Sequence, residues 1–189
     1  MKDNDYQIMV RKIRNLLNEK NTVIVAIDGR CASGKTTLAA LLQEEFSCNV
    51  IHMDDFYLPM TKRDSDWHTT PAKNIDFKKI REVLDAIAQK ESFEIRPYSC
   101  DTSSYGEAIF YRQTPLTVIE GSYSCHPYLK GFYDLCIFLS VSLNEQKKRL
   151  IIRNGEEGLD RFQKIWIPLE EKYFNQYAIP AECDIVITN

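Results

Sequence analysis

Residues Gly29-Arg30-Cys31-Ala32-Ser33-Gly34-Lys35-Thr36 place two glycines, a lysine and a threonine at the spacing GxxxxGKT. That spacing serves to hold a polyphosphate. Gly29 and Gly34 let the backbone wrap closely around a phosphate, where a β-carbon would obstruct it. The N–H groups of Ala32, Ser33, Gly34, Lys35, Thr36 and Thr37 are then expected to point inward. The positive end of a helix starting near Lys35 adds to them. Lys35 has the reach for β- and γ-phosphates, and the Thr36 hydroxyl suits Mg²⁺. The expected ligand is a nucleoside triphosphate, taken as ATP, with Mg²⁺. The motif does not choose between ATP and GTP, but a guanine-reading NKxD and a DxxG after a strand are both missing from the sequence. A motor or remodelling ATPase is usually larger and carries a hydrophobic run ending in Asp. A small kinase is therefore the expectation.

Such an enzyme needs a group for the acceptor proton and cations for the moving phosphoryl. The run NVIHMD, which reads as a strand, ends at Asp54 with Asp55 next, so one of the two is expected to face the phosphate loop. A carboxylate there can accept or orient the proton of an attacking hydroxyl. A cap or loop carboxylate is the ordinary alternative. Glu120 closes TVIEG at the corresponding place, where it either holds an Mg²⁺-bound water or shapes the turn into Gly121. Arg149 and Arg153 lie four apart on one helical face, and with Arg161 they could lean over the phosphates. A solvated basic face shared with Lys147 and Lys148 is the competing reading. Phe56, Tyr57, Trp67 and Tyr98 could stack on a planar acceptor, although each alone is more often core or rim packing.

The elements that must position these groups alternate in type. Residues 5–20 repeat apolar side chains at helical spacing, and TVIVAID (22–28) is a β-branched run suited to a strand buried on both faces. LAALLQEEF follows the phosphate loop as a helix. Residues 58–74 read as loop, and Ile75 to Ile87 read as a helix with one apolar face. The stretch 93–115 is expected to be a hairpin excursion on the substrate side. PLTVIEG, DLCIFLSV and DIVIT supply three more strands. Helical segments at about 143–153 and 158–175 are separated near Asn154-Gly155, where a lid over 149–161 would hinge, and Pro168 marks a kink or break. Short strands alternating with helices imply an α/β fold with a parallel sheet, in one domain over 1–189.

Composition narrows the partners. The 189 residues are 44% hydrophobic and 27% charged, enough apolar material for a real core and too much for a disordered chain. With 24 Lys and Arg against 27 Asp and Glu, the net charge of −3 disfavours binding to nucleic acid through phosphate neutralisation. No apolar run nears the ~18 residues of a membrane span. The start MKDNDYQIMVRK lacks the layout of a secretion signal, so a cytoplasmic location is expected. The six cysteines include no CxxC pair and read as reduced, and the three histidines form no zinc spacing. Self-association to a homo-oligomer stays open.

Taken together, GRCASGKTT, MDDFYLP, VIEGSYS and WIPLEEKYFNQYAIPAECDIVI resemble the uridine kinase, phosphoribulokinase and nicotinamide riboside kinase family, most nearly its bacterial uridine kinase-like members. The resemblance covers roughly 22–188 and implies a P-loop kinase fold: a five-stranded parallel sheet, flanking helices, a substrate hairpin and an arginine-bearing lid. It implies Asp54 as the catalytic aspartate, beside Lys35 and Arg153. It also implies Tyr57 at the acceptor, where Tyr98 is expected from its residue type as a second aromatic, and Arg149 and Arg153 at the lid entrance. The acceptor it implies is the 5′-hydroxyl of uridine or cytidine. Two segments depart from the family pattern. RNGEEGLDR is acidic and shorter than the arginine-rich lid of uridine kinases, and DWHTTPAKN stands where a ribose-binding aspartate usually lies. Another ribosyl or sugar-like alcohol, or a non-catalytic ATP-binding regulator, is the alternative.

Overall fold

The computed structural model describes residues 3–100 and 102–189; Met1, Lys2 and Asp101 of the expected hairpin lie outside them. Its helices are α1 (Asp3–Glu19), α2 (Lys35–Phe46), α3 (Phe77–Ala88), α4 (Leu143–Arg161), α5 (Ile167–Gln176) and α6 (Ile179–Glu182). Its strands are β1 (Val23–Gly29), β2 (Asn49–His52), β3 (Phe93–Ile95), β4 (Tyr98–Ser99), β5 (Ser104–Tyr105), β6 (Ile109–Tyr111), β7 (Leu116–Glu120), β8 (Leu135–Ser140) and β9 (Ile185–Thr188). Five of them form one sheet in the order β2-β7-β1-β8-β9, with every neighbouring pair parallel.

Alternation along β1 divides the core. Val23, Val25 and Ile27 pack with Met9 and Ile13 of α1 and with Leu38 and Leu42 of α2. Ile24 and Ala26 face the opposite layer, where Ile80 and Leu84 of α3 meet Tyr173 and Phe174 of α5. A sheet covered on both faces needs strands apolar on both sides, which accounts for the near-continuous hydrophobic runs. Strands β3 to β6 form a nested antiparallel ribbon, β3 with β6 and β4 with β5.

The order brings β7 in between β2 and β1 and sends β8 to the other side of β1. Segments leaving the carboxyl ends of the parallel strands therefore converge on one rim, where ligands of open α/β sheets bind. The expected break near Pro168 takes a different form. Pro168 sits in the first turn of α5, directly after a π-helical turn. The actual interruptions are Gly155, at φ 72 and ψ 178 inside α4, and a π-helical turn over Phe162–Trp166.

Candidate active site

The loop between β1 and α2 holds its shape through its own chain and through residues from the C-terminal third of the sequence. Asp28, fully buried, accepts from Gly29 N (2.7 Å), from Cys125 N (2.9 Å) and from the Tyr173 hydroxyl (2.8 Å). Glu170 accepts from Cys31 N (2.9 Å) and from Ser122 Oγ (2.6 Å). Gln146 donates to Cys31 O at 3.1 Å and Arg149 to Ala32 O at 3.1 Å. Lys35 Nζ donates to the carbonyls of Gly29 (2.7 Å) and Arg30 (3.0 Å), at the mouth of the loop.

Gly29 departs from the sequence expectation in its reason. It lies at φ +139, and a β-carbon there would stand 2.0 Å from Leu139 O of β8. The obstruction is therefore the protein's own neighbouring strand, and Gly29 is not among the residues lining the cavity. Gly34, at φ +102, does line it, along with Ala32, Ser33, Lys35, Thr36 and Thr37.

Asp54 and Asp55 are also placed differently. Strand β2 ends at His52, and Met53–Phe56 form a 3₁₀ turn anchored by the buried Met53 and Phe56. The turn still separates the two carboxylates. Asp54 lines the cavity, while Asp55 lies outside it, held above its usual range by burial. Burial, and then the Asp54 charge, push the Tyr57 hydroxyl well above its ordinary value. Phe56 is core and cannot reach an acceptor.

Glu120 stands at the end of β7, 5% exposed, and one of its oxygens meets both His52 Nδ1 (2.5 Å) and Thr36 Oγ1 (3.2 Å). The hydrogen bond to Glu120 raises the His52 pKa. A hydroxyl and a carboxylate so close together are hard oxygen donors of the kind Mg²⁺ takes while keeping several waters. Among the described residues no group of three or more His, Cys, Asp or Glu forms a fuller metal cluster.

One cavity of about 1160 Å³ joins these groups. Its phosphate end has the loop, Glu120, Arg149 and Arg153. Its other end has Tyr57, Met60, Arg63, Tyr98 and Trp166. Arg153 donates to Asn154 Oδ1 (2.8 Å) and lies over Phe162, and Arg161 lies 5.9 Å from the Trp166 ring centre. Trp67 is drawn in behind Trp166, ring centres 5.9 Å apart.

Sequence reasoning passed over Arg63, Ser122, Trp166 and Glu170. Glu170 had a signal: it shares the spacing of Leu169, Tyr173 and Phe174, the buried side of α5. An acid on an apolar helical face requires a buried donor.

Residues 24–161 match the Phosphoribulokinase / Uridine kinase family. The chain belongs to that family. A bifunctional alpha-galactosidase/sucrose kinase of Mediterraneibacter gnavus is 29% identical over 75% of this chain, which spans only 17% of that protein. Human nicotinamide riboside kinase 1 is 30% identical over 68% of the chain and 63% of its own length. The structure described as a possible uridine kinase from Bacillus stearothermophilus superposes with a TM-score of 0.69, at 18% identity, over 95% of this chain and 98% of that one. That likeness shows the fold. The family is one of small-molecule kinases with a nucleotide-binding P-loop. No helix of the described residues is long and apolar enough to cross a membrane.

Asp28, directly before the family's phosphate loop, gives a pH dependence. Burial pushes its carboxyl from 3.8 up to about 6 despite three donors. The folded state therefore binds this proton more tightly than the unfolded chain. Its contribution to stability is greatest below pH 4, falls as pH rises to 6, and is constant above, with a span on the order of 3 kcal/mol. The difference in unfolding free energy between wild type and Asp28→Asn, followed by urea denaturation, should change over that window. A pH-independent difference would contradict the assignment.

Proposed function

We propose that the protein transfers the γ-phosphoryl group of ATP to a hydroxyl of a small metabolite, with the 5′-hydroxyl of uridine or cytidine as the favoured acceptor. A single observation carries the reading: the phosphate loop, Asp54 and an aromatic-walled recess line the same cavity.

The amides from Ala32 to Thr37 and the Lys35 ammonium bind the β- and γ-phosphates. Thr36 and Glu120 would hold Mg²⁺, which would supply charge screening for the phosphates. Asp54 receives the proton of the acceptor hydroxyl. The acceptor oxygen forms the new bond to phosphorus as the bond to the departing ADP oxygen breaks. Arg153, with Arg149 and Arg161, comes over the transferring group as charge spreads on its oxygens. In a loose transition state most of the work is positioning and charge stabilisation. Tyr57 and Tyr98 enclose the acceptor.

A second reading, a sugar-like alcohol as acceptor, draws on the similarity to the bifunctional alpha-galactosidase/sucrose kinase of M. gnavus. Aromatic walls suit the C–H face of a sugar as well as a base. An acceptor panel with ATP and Mg²⁺ separates the two. Turnover of uridine or cytidine is expected, and robust turnover of a non-nucleoside with none of either would reverse the order. Absence of transfer to any alcohol, together with an ATP-induced change of shape, would favour a regulator carrying the acidic RNGEEGLDR lid.

A further inference from the structure

Arg63 lies in the loop 58–74, away from the phosphate groups' own arginines, and its position has no part in the reaction steps above. Its guanidinium is 4.8 Å from the ring centre of Trp67 and 5.7 Å from that of Tyr57. Nε donates to Leu58 O (2.7 Å), and Nη2 donates to Cys100 Sγ (3.3 Å). These contacts use the side edge of the planar group and fix its orientation. Among the described residues the outer fork, one N–H each from Nη1 and Nη2, has no further partner. Arg63 lines the cavity with Met60, Tyr98 and Trp166, at the recess beyond Asp54.

We infer that Arg63 selects the acceptor by gripping two adjacent hydrogen-bond acceptor atoms at the end remote from the hydroxyl that is phosphorylated. A guanidinium fork has two parallel donors and no acceptor, so it fits a pair of acceptors and rejects an edge that interposes an N–H. On a pyrimidine nucleoside that pair is O2 and N3 of cytosine. Uracil carries a proton on N3 and opposes one arm of the fork. On a non-nucleoside alcohol the same pair is the two oxygens of a carboxylate or phosphate. Stacking on Trp67 and Tyr57 strengthens the grip, because the flat cation is held against π faces in a partly dehydrated recess. The loop that carries Arg63 is itself tied to the phosphate side. Lys172 of α5 donates to Thr69 O (2.9 Å), two residues from Glu170 on the same helix.

The inference rests on the kinase reading, and the experiment keeps the two apart. Steady-state transfer from ATP is measured for wild type, Arg63→Lys and Arg63→Met with cytidine, uridine, a neutral sugar, a sugar acid and a sugar phosphate. Wild type is expected to favour cytidine over uridine in kcat/KM by about 10-fold or more, the scale of one bidentate contact. Arg63→Met should erase that preference by raising KM for cytidine, with kcat at saturation and KM for ATP near wild type. Arg63→Lys, which keeps the charge and loses the fork, should resemble Met. If the sugar acid or sugar phosphate is instead the preferred acceptor, and Met loses it selectively over the neutral sugar, the pair is an oxyanion. Equal losses for all acceptors, or no change in either variant, would overturn the role of Arg63 and leave the kinase reading intact. Failure of wild type to phosphorylate any of the five would overturn both.

Discussion

Asp54→Asn should lower kcat for phosphoryl transfer by about 10²–10⁴, the range of a lost general base, with ATP affinity near wild type. The variant separates chemistry from folding because of where Asp54 sits. The 3₁₀ turn is held by Met53 and Phe56, both buried, and not by the Asp54 side chain, which is exposed in the cavity. Asn preserves the size and one oxygen facing the Tyr57 hydroxyl. What it loses is the charge and the proton-accepting oxygen. Single-turnover transfer and calorimetric titration with an ATP analogue measure the two quantities on the same preparation. If kcat falls less than about tenfold, Asp54 is not the base. If ATP affinity falls in parallel, its role is in holding the nucleotide. The neighbouring Asp55→Asn serves as the comparison, since Asp55 lies outside the cavity.

The second large effect is on the fold. Gly29→Ala should destabilise the protein by roughly 2–6 kcal/mol, combining an unfavourable backbone conformation with overpacking, each costing about 1–3 kcal/mol. The β-carbon would stand 2.0 Å from Leu139 O and 2.8 Å from Leu139 N. Both atoms are backbone in the central part of the sheet, where Gly29 pairs with Leu139. Neither can swing away as a side chain could. Relief requires β1 and β8 to part at their carboxyl ends, which also displaces Asp28 and the first amides of the phosphate loop. Nucleotide affinity should fall with stability. Gly131→Ala, where a β-carbon meets nothing within 4 Å, should stay within about 0.5 kcal/mol. Equilibrium unfolding of both variants tests the contrast, and a Gly29→Ala protein as stable as Gly131→Ala would refute it.

These two positions differ in how far they could be read in advance. Asp54 stands in a local motif, DDFY after an apolar run, and its exposure to the cavity follows from a turn a few residues long. Gly29 stands in an equally local motif, yet the atom that demands a glycine there belongs to Leu139, 110 residues later. The fixed spacing of GxxxxGKT identifies the residue without giving the constraint. The segment from α4 to α5 shows the same division. Asn154-Gly155 signals a break in the helix, and Gly155 does leave helical geometry there. The π-helical turn that places Trp166 against Tyr57 has no such local mark, because a π turn depends on what its side chains pack against.

What the sequence determined by itself was whatever depends on near neighbours in the chain. The phosphate loop is a run of successive amides, and the parallel sheet follows from apolar runs alternating with amphipathic helices. What the tertiary structure decided was every contact between segments far apart. It was the fold that brought Glu170 to the Cys31 amide, Tyr173 to Asp28, His52 and Thr36 to one oxygen of Glu120, and Arg63 to the aromatic-walled recess. The reason is physical. Periodicity reports which side of an element is buried, whereas the partner of a buried polar atom is fixed only when strand order and helix packing have set which ends converge.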